Sequence, residues 1–205
     1  MSVIGVIDSG ISNIRSVTNA LAAIGALHRQ VVTPADVAAC SHLILPGDGT
    51  FHAGMERLNQ SGLADALTQA AEQGKFILGI CLGMQLLAKD GTEFGVCPGL
   101  GLIPGHVTRL APADPAYPVP QIGWNRVQFA AHARLAQGMG ELGVYYFMHS
   151  YVYSDPKAAY VAATFDYAGD VVAMIEHENV FGVQFHPEKS QQAGLKLLAN
   201  FANLK

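Results

Sequence analysis

Charge is scarce in this chain, and that scarcity excludes whole classes of function. Only 14% of the 205 residues are charged, 12 basic against 16 acidic, for a net charge of −4. With no basic run anywhere, the chain has no footprint for tracking a phosphate backbone. Long apolar runs are also missing, and none approaches the roughly 20 residues a membrane helix requires. The opening Met1-Ser2-Val3-Ile4-Gly5-Val6-Ile7-Asp8 lacks a basic leader and meets an acid too early for a signal peptide. Cysteine is sparse: Cys40, Cys81 and Cys97 are too few and too scattered for a disulfide scaffold. The expectation is a soluble cytoplasmic protein with reduced thiols. Internal repeats and low-complexity segments are absent.

Apolar residues make up 50% of the sequence and glycine occurs 22 times, which suits one compact α/β domain over residues 1–205. The first half alternates short apolar runs with amphipathic stretches, as parallel strands flanked by helices do. Val3–Ile7, Leu27–Val32, Leu43–Leu45 and Phe76–Ile80 read as strands. A helix is expected from Ser12 or Asn13, with Ile14, Val17, Leu21 and Ile24 on one face and Gly25 ending it. Others are expected at Leu63–Gln73, closed by Gly74, and at Leu82–Ala88.

The second half is richer in strands: His106–Leu110, Gly123–Phe129, Val144–Met148, Tyr160–Phe165, Val171–Glu176 and Val180–Phe185. Ala111–Pro120 reads as a Pro-rich surface loop, and a last helix from Ser190 should carry Leu195, Leu198 and Phe201 inward.

Three segments carry chemistry. Gly79-Ile80-Cys81-Leu82-Gly83 sets a thiol between glycines at a strand-to-helix junction, the pattern of a nucleophile elbow. The helix start would place N–H groups and a positive dipole end beside the sulfur, favouring thiolate. The blander reading is a buried Cys packed as a small hydrophobe. Phe185-His186-Pro187-Glu188 follows an apolar strand. Residues two apart on an extended spacer point the same way, so Glu188 would fix the His186 tautomer and leave its other nitrogen for the thiol proton. A His at a strand end is otherwise an ordinary hydrogen-bonded residue. In Leu45-Pro46-Gly47-Asp48-Gly49 the glycines allow a backbone N–H to face an oxyanion. Together with the Leu82 N–H it would form a two-donor hole, each donor worth about 3 kcal/mol in the transition state. Taken alone, this segment is an ordinary strand-to-helix turn.

Gly79-Ile80-Cys81-Leu82-Gly83-Met84-Gln85 with Gln184-Phe185-His186-Pro187-Glu188 resembles the class I glutamine amidotransferases. Ile122-Gly123-Trp124-Asn125, Tyr146-Phe147-Met148-His149-Ser150-Tyr151, Gly182–Ser190 and Asp8–Val17 narrow the resemblance to glutaminase subunits of imidazole glycerol phosphate synthases, over essentially the whole chain. The resemblance implies an α/β, three-layer, flavodoxin-like fold with a mostly parallel central sheet and additional antiparallel strands. It implies a Cys81-His186-Glu188 triad, backbone oxyanion donors at Gly49 and Leu82, and glutamine held by Gly47, Gln85, Ser150 and Tyr151. It further implies a cyclase partner, a (β/α)8 barrel forming a heterodimer through Asn13, Trp124, Tyr146 and Lys189. That partner would receive ammonia for histidine biosynthesis. Neither metal nor cofactor is implied.

Two departures stand out. Asp48 occupies a place where such proteins usually have Val, and its side chain is expected to point away from the oxyanion. Gln121 stands where His is common. Elsewhere the bland readings hold: Cys40 and His42 lack a second pair for zinc, and Gly99–Gly105 is a turn rather than a nucleotide loop. By residue type alone Trp124 and Tyr145-Tyr146-Phe147 are core and Lys189 is a solvated charge; the resemblance implies partner contact or channel lining for the aromatics and a salt bridge to the cyclase for Lys189. The rival functions are a paralogous sugar-aminating glutaminase, a stand-alone cysteine hydrolase and a silent binding module. The intact Cys81, His186 and Glu188 oppose the last.

Overall fold

The computed structural model describes residues 2–10 and 12–205; Met1 and Ile11, parts of the chain start and first-loop readings, lie outside the described residues. Strand and helix alternate through the first half. β1 (Ile4–Ile7) leads to α1 (Ile14–Ala23), β2 (His28–Val31), α2 (Pro34–Ala38), β3 (His42–Gly47), α3 (Phe51–Gln60), α4 (Leu63–Glu72) and β4 (Phe76–Cys81). After α5 (Leu82–Leu86) come β5 (Ala88–Gly91), β6 (Cys97–Pro98), β7 (Ile103–Arg109), β8 (Gln121–Phe129) and β9 (Leu142–His149). Then β10 (Tyr151–Tyr153), β11 (Val161–Asp166), β12 (Asp170–His177) and β13 (Val180–Val183) precede α6 (Gln191–Ala202).

Nine strands form one sheet in the order β2-β1-β3-β4-β13-β12-β11-β8-β9, and β10-β7-β5-β6 form a second. The segment from β2 to β13 is parallel throughout. From β13 to β9 every pairing is antiparallel. The order 2-1-3-4 is that of flavodoxin-like sheets, in which ligands bind outside the carboxyl ends of the strands. Gly47, Cys81 and the residues after Val183 all lie at those ends.

The pleat divides the apolar residues between two cores. In β3, Leu43 and Leu45 pack with Leu58 of α3 and Leu67 of α4. Ile44 faces the other way, onto Val17 and Leu21 of α1 and Leu198 and Phe201 of α6. Alternate residues of a strand point to opposite faces, so each face of the sheet carries its own helical layer. Each fully buried Leu or Ile contributes about 2 kcal/mol.

Several expectations need correction. The helix after Cys81 stops at Leu86, because Ala88–Gly91 pairs with β7 as a strand of the second sheet. Ile103-Pro104-Gly105, expected in a turn, opens β7. On α6 the inward residues are Leu197, Leu198 and Phe201, whereas Leu195 is only partly buried. Two helices escaped the periodicity reading but carry start signals. Thr33 precedes α2 and its N–H donates to the Asp36 carboxylate at 3.0 Å. Thr50 caps α3, its hydroxyl accepting the Ala53 N–H at 3.3 Å.

Candidate active site

Cys81 ends β4 with φ 54° and ψ −113°, a conformation that costs a side-chain-bearing residue on the order of 1–3 kcal/mol. Close main-chain packing holds it there. A Cβ on Gly83 would sit 1.7 Å from the Leu45 carbonyl oxygen, and one on Gly79 would lie 2.6 Å from the Gly83 backbone. Because α5 is only 5 residues long, the expected helix dipole reduces to the local N–H groups at its start.

His186 follows β13, and its Nδ1 lies 2.8 Å from Oε1 of Glu188, with both side chains almost fully buried. The spacer is not extended as expected: Pro187–Lys189 forms a 3-10 turn, which delivers the carboxylate to the ring by a different route. The main-chain N–H of His186 donates to the Tyr146 carbonyl at 2.9 Å. Nε2 is buried on the Cys81 side of the ring and makes no hydrogen bond of ordinary geometry among the described residues. Burial pushes the imidazole pKa down, but hydrogen bonding and charge from Cys81 and Glu188 outweigh it and carry the value up to about 10. The environment therefore favours the protonated ring at neutral pH.

A cavity of about 510 Å³ opens over Cys81, and Gly49, Leu82, Gln85, Ser150 and Tyr151 line it. Gly49 has φ +92°, which glycine alone adopts without strain. Gly47 is the exception among the expected substrate contacts. It pairs with Cys81 across the β3–β4 ladder, and a Cβ there would meet the Leu82–Gly83 backbone rather than the cavity. Asp48 itself lines the cavity, and its Oδ2 accepts the Asn13 N–H at the start of α1 at 3.2 Å.

Two lining residues went unread in the sequence. Glu93 accepts the Phe51 N–H at 2.8 Å and puts a carboxylate on the cavity wall, complementary to an ammonium group. It lies in a turn, Thr92–Val96, with no local signal of chemistry. His149 lies inside the segment from Tyr146 to Tyr151 that carries the resemblance, but nothing local sets it apart from its neighbours. Its Nδ1 bonds the Tyr151 carbonyl at 3.2 Å, and burial pushes its pKa down to about 4.

Trp124 is not core: it is 48% exposed, beside Ile122 at 60%, on the outer face of β8. Val144 and Met148 continue that apolar face on β9. Tyr145 and Phe147 point the other way and are buried, while half-buried Tyr146 meets Trp124 edge-on at 5.8 Å. Exposed Asn13 and Lys189 also line the cavity, as do Ile122 and Met148. Cys40 and His42 do not meet a ligand set: the His42 ring packs against Phe76 and Phe201. Among the described residues, no group of three His, Cys, Asp or Glu is placed to hold a metal, and no helix is long and apolar enough to cross a membrane.

Residues 5–204 match the family model "Glutamine amidotransferase class-I". The chain is 46% identical over 201 residues to an imidazole glycerol phosphate synthase subunit HisH of Streptococcus gordonii, covering 98% of this chain and 94% of that one. It is 43% identical over 205 residues to the protein of that description from Symbiobacterium thermophilum, covering 100% and 95%. Among solved structures it resembles a glutamine amidotransferase with TM-score 0.77 and 21% identity, covering 98% of this chain and 99% of the other. PurLQS of Thermotoga maritima is similar at TM-score 0.75 and 21% identity, with 99% of each chain covered. At such identities the structural likeness speaks for the fold.

Proposed function

This chain belongs to the class-I glutamine amidotransferase family, and on that premise we propose that it is the glutaminase half of an imidazole glycerol phosphate synthase. It hydrolyses glutamine on Cys81 and hands the ammonia to a cyclase in histidine biosynthesis, and residues 1–205 act as one domain. The observation that carries this reading is the convergence at one cavity. A strained Cys81 lines it together with Gly49, Leu82, Gln85, Ser150 and Tyr151, and the buried His186–Glu188 pair acts on the Cys81 side.

The chemistry follows from the geometry. His186 takes the thiol proton, and the sulfur attacks the amide carbon of glutamine. The C–S bond forms as the carbonyl oxygen becomes an oxyanion, which the N–H groups of Gly49 and Leu82 receive. Collapse breaks the C–N bond, and His186 returns its proton to the departing ammonia. Water then attacks the thioester with His186 as base, releasing glutamate and restoring the thiol. Glu188 holds the ring in place through both stages. Gln85, Ser150 and Tyr151 hold the substrate.

The partner is a (β/α)8 cyclase. Support for its docking site comes from the exposed apolar face at Ile122 and Trp124, flanked by Tyr146 and continuous with the cavity rim at Asn13 and Lys189. Monomeric proteins seldom leave such a face uncovered.

Ammonia release from glutamine tests the reading. Low turnover alone and strong stimulation by the cyclase with its nucleotide ligand are expected. Cys81→Ala should lower stimulated turnover by at least about 10³-fold. Equal turnover without a partner would favour a stand-alone hydrolase, and retained activity in Cys81→Ala would remove the proposed nucleophile.

A further inference from the structure

We infer that Gln184 is a thiolate-holding residue: its side-chain amide donates a hydrogen bond to the Cys81 sulfur, and Gln85 fixes that amide in the donating orientation. The inference rests on Cys81 being the nucleophile.

Gln184 is fully buried just past β13, where its main-chain N–H donates to the Ala173 carbonyl at 2.9 Å. Its Nε2 lies 3.8 Å from Cys81 Sγ. An amide can present either end, so its orientation is set by a neighbouring group with only one possible role. The Tyr151 carbonyl is that group, since it can only accept. Gln85 meets it at 2.9 Å and must offer its NH₂ there. The same NH₂ meets Gln184 at 3.1 Å, so Gln184 must offer its oxygen to Gln85. Its NH₂ is then turned to the sulfur. His149 approaches the same Tyr151 carbonyl at 3.2 Å and helps anchor the chain of bonds.

The polarity of this relay matters when the thiol ionises. Before ionisation the thiol donates to the Met148 carbonyl at 3.7 Å. Once His186 has taken the proton, that carbonyl oxygen faces an anion and opposes it. The Gln184 N–H then faces the same anion and favours it. A hydrogen bond to an ionised acceptor is roughly twice as strong as a neutral one, so the relay stabilises the state that attacks. It also ties the nucleophile to Tyr151, on the wall of the substrate cavity. Gln184 itself does not line that cavity.

The test is the pH dependence of Cys81 alkylation by iodoacetamide, followed on the Cys81 peptide by mass spectrometry. Wild type is compared with Gln184→Met and Gln184→Glu, both close in size to glutamine. In Gln184→Met the midpoint of the alkylation profile should rise by about one pH unit, slowing alkylation on its rising limb roughly tenfold. In Gln184→Glu the rise should be larger, because a carboxylate then faces the sulfur. In complex with the cyclase, kcat should fall in step while KM for glutamine holds. A residue that only fills space would lower Tm and leave the alkylation profile unmoved. If neither variant folds, Gln85→Leu frees the Gln184 amide and should shift the profile in the same direction. An unshifted profile in whichever variant folds overturns the inference. Loss of Cys81 as nucleophile would show separately, as ammonia release surviving in Cys81→Ala.

Discussion

His149 and His186 stand close to the same cavity yet are held in opposite states. Burial keeps His149 neutral, with its pKa pushed down from 6.5 to about 4. In that range the unfolded chain binds a proton that the folded chain refuses, so stability falls as pH drops from 6.5 towards 4. The loss attributable to His149 is about 3 kcal/mol at 1.36 kcal/mol per pKa unit. His186 has the reverse sign: its pKa rises from 6.5 to about 10, so its contribution is present below 6.5 and lost as pH rises through about 10. His149→Asn keeps a donor for the Tyr151 carbonyl but cannot titrate. Urea midpoints measured as a function of pH should therefore show a shallower acid limb in that variant; an unchanged slope would refute the assignment. At this scale the three residues of the proposed triad are legible as candidates because Cys81, His186 and Glu188 carry distinctive neighbours. His149 and Glu93 were not, because their roles depend on which carbonyl or cavity wall the fold brings to them.

The elbow between β4 and α5 shows what an element contributes beyond its residues. Cys81 takes its positive φ because the chain must turn before main-chain atoms of β3. Gly83 lets that happen, and an added Cβ would collide with backbone that cannot swing aside. Gly83→Ala should cost at least about 3 kcal/mol and remove glutaminase activity along with stability. Thermal unfolding near the wild-type temperature would contradict this account of the turn. The glycines around Cys81 announced the elbow in the sequence, but the length of α5 was hidden. Leu87 and Ala88 are good helix residues, and the helix ends because Ala88 finds a partner in Ile103 of β7. That pairing is non-local, and no local pattern reports it. The capping threonines of α2 and α3 were, by contrast, readable signals that hydrophobic periodicity passed over.

On the scale of the molecule, the sheet order collects sequence-distant segments at one edge. The ends of β3 and β4, the residues after β13 and the turn after β9 meet there. Strand alternation foretold which residues share a face but not which face would be left bare. Hence residue type alone makes Trp124 core by default and only the family resemblance points to a partner contact, whereas β8 and β9 lie at the end of the sheet with their outer residues uncovered. The fold also sorts the three thiols. Cys40 is buried near α2, Cys97 lies in β6, and Cys81 lines the cavity. A diazoketone analogue of glutamine, which alkylates the nucleophile that recognises it, reads that sorting directly in the presence of the cyclase. The account predicts modification of Cys81, with Cys40 and Cys97 untouched, and protection by glutamine. Labelling of Cys40 or Cys97 instead, or labelling of Cys81 that glutamine does not slow, would contradict it.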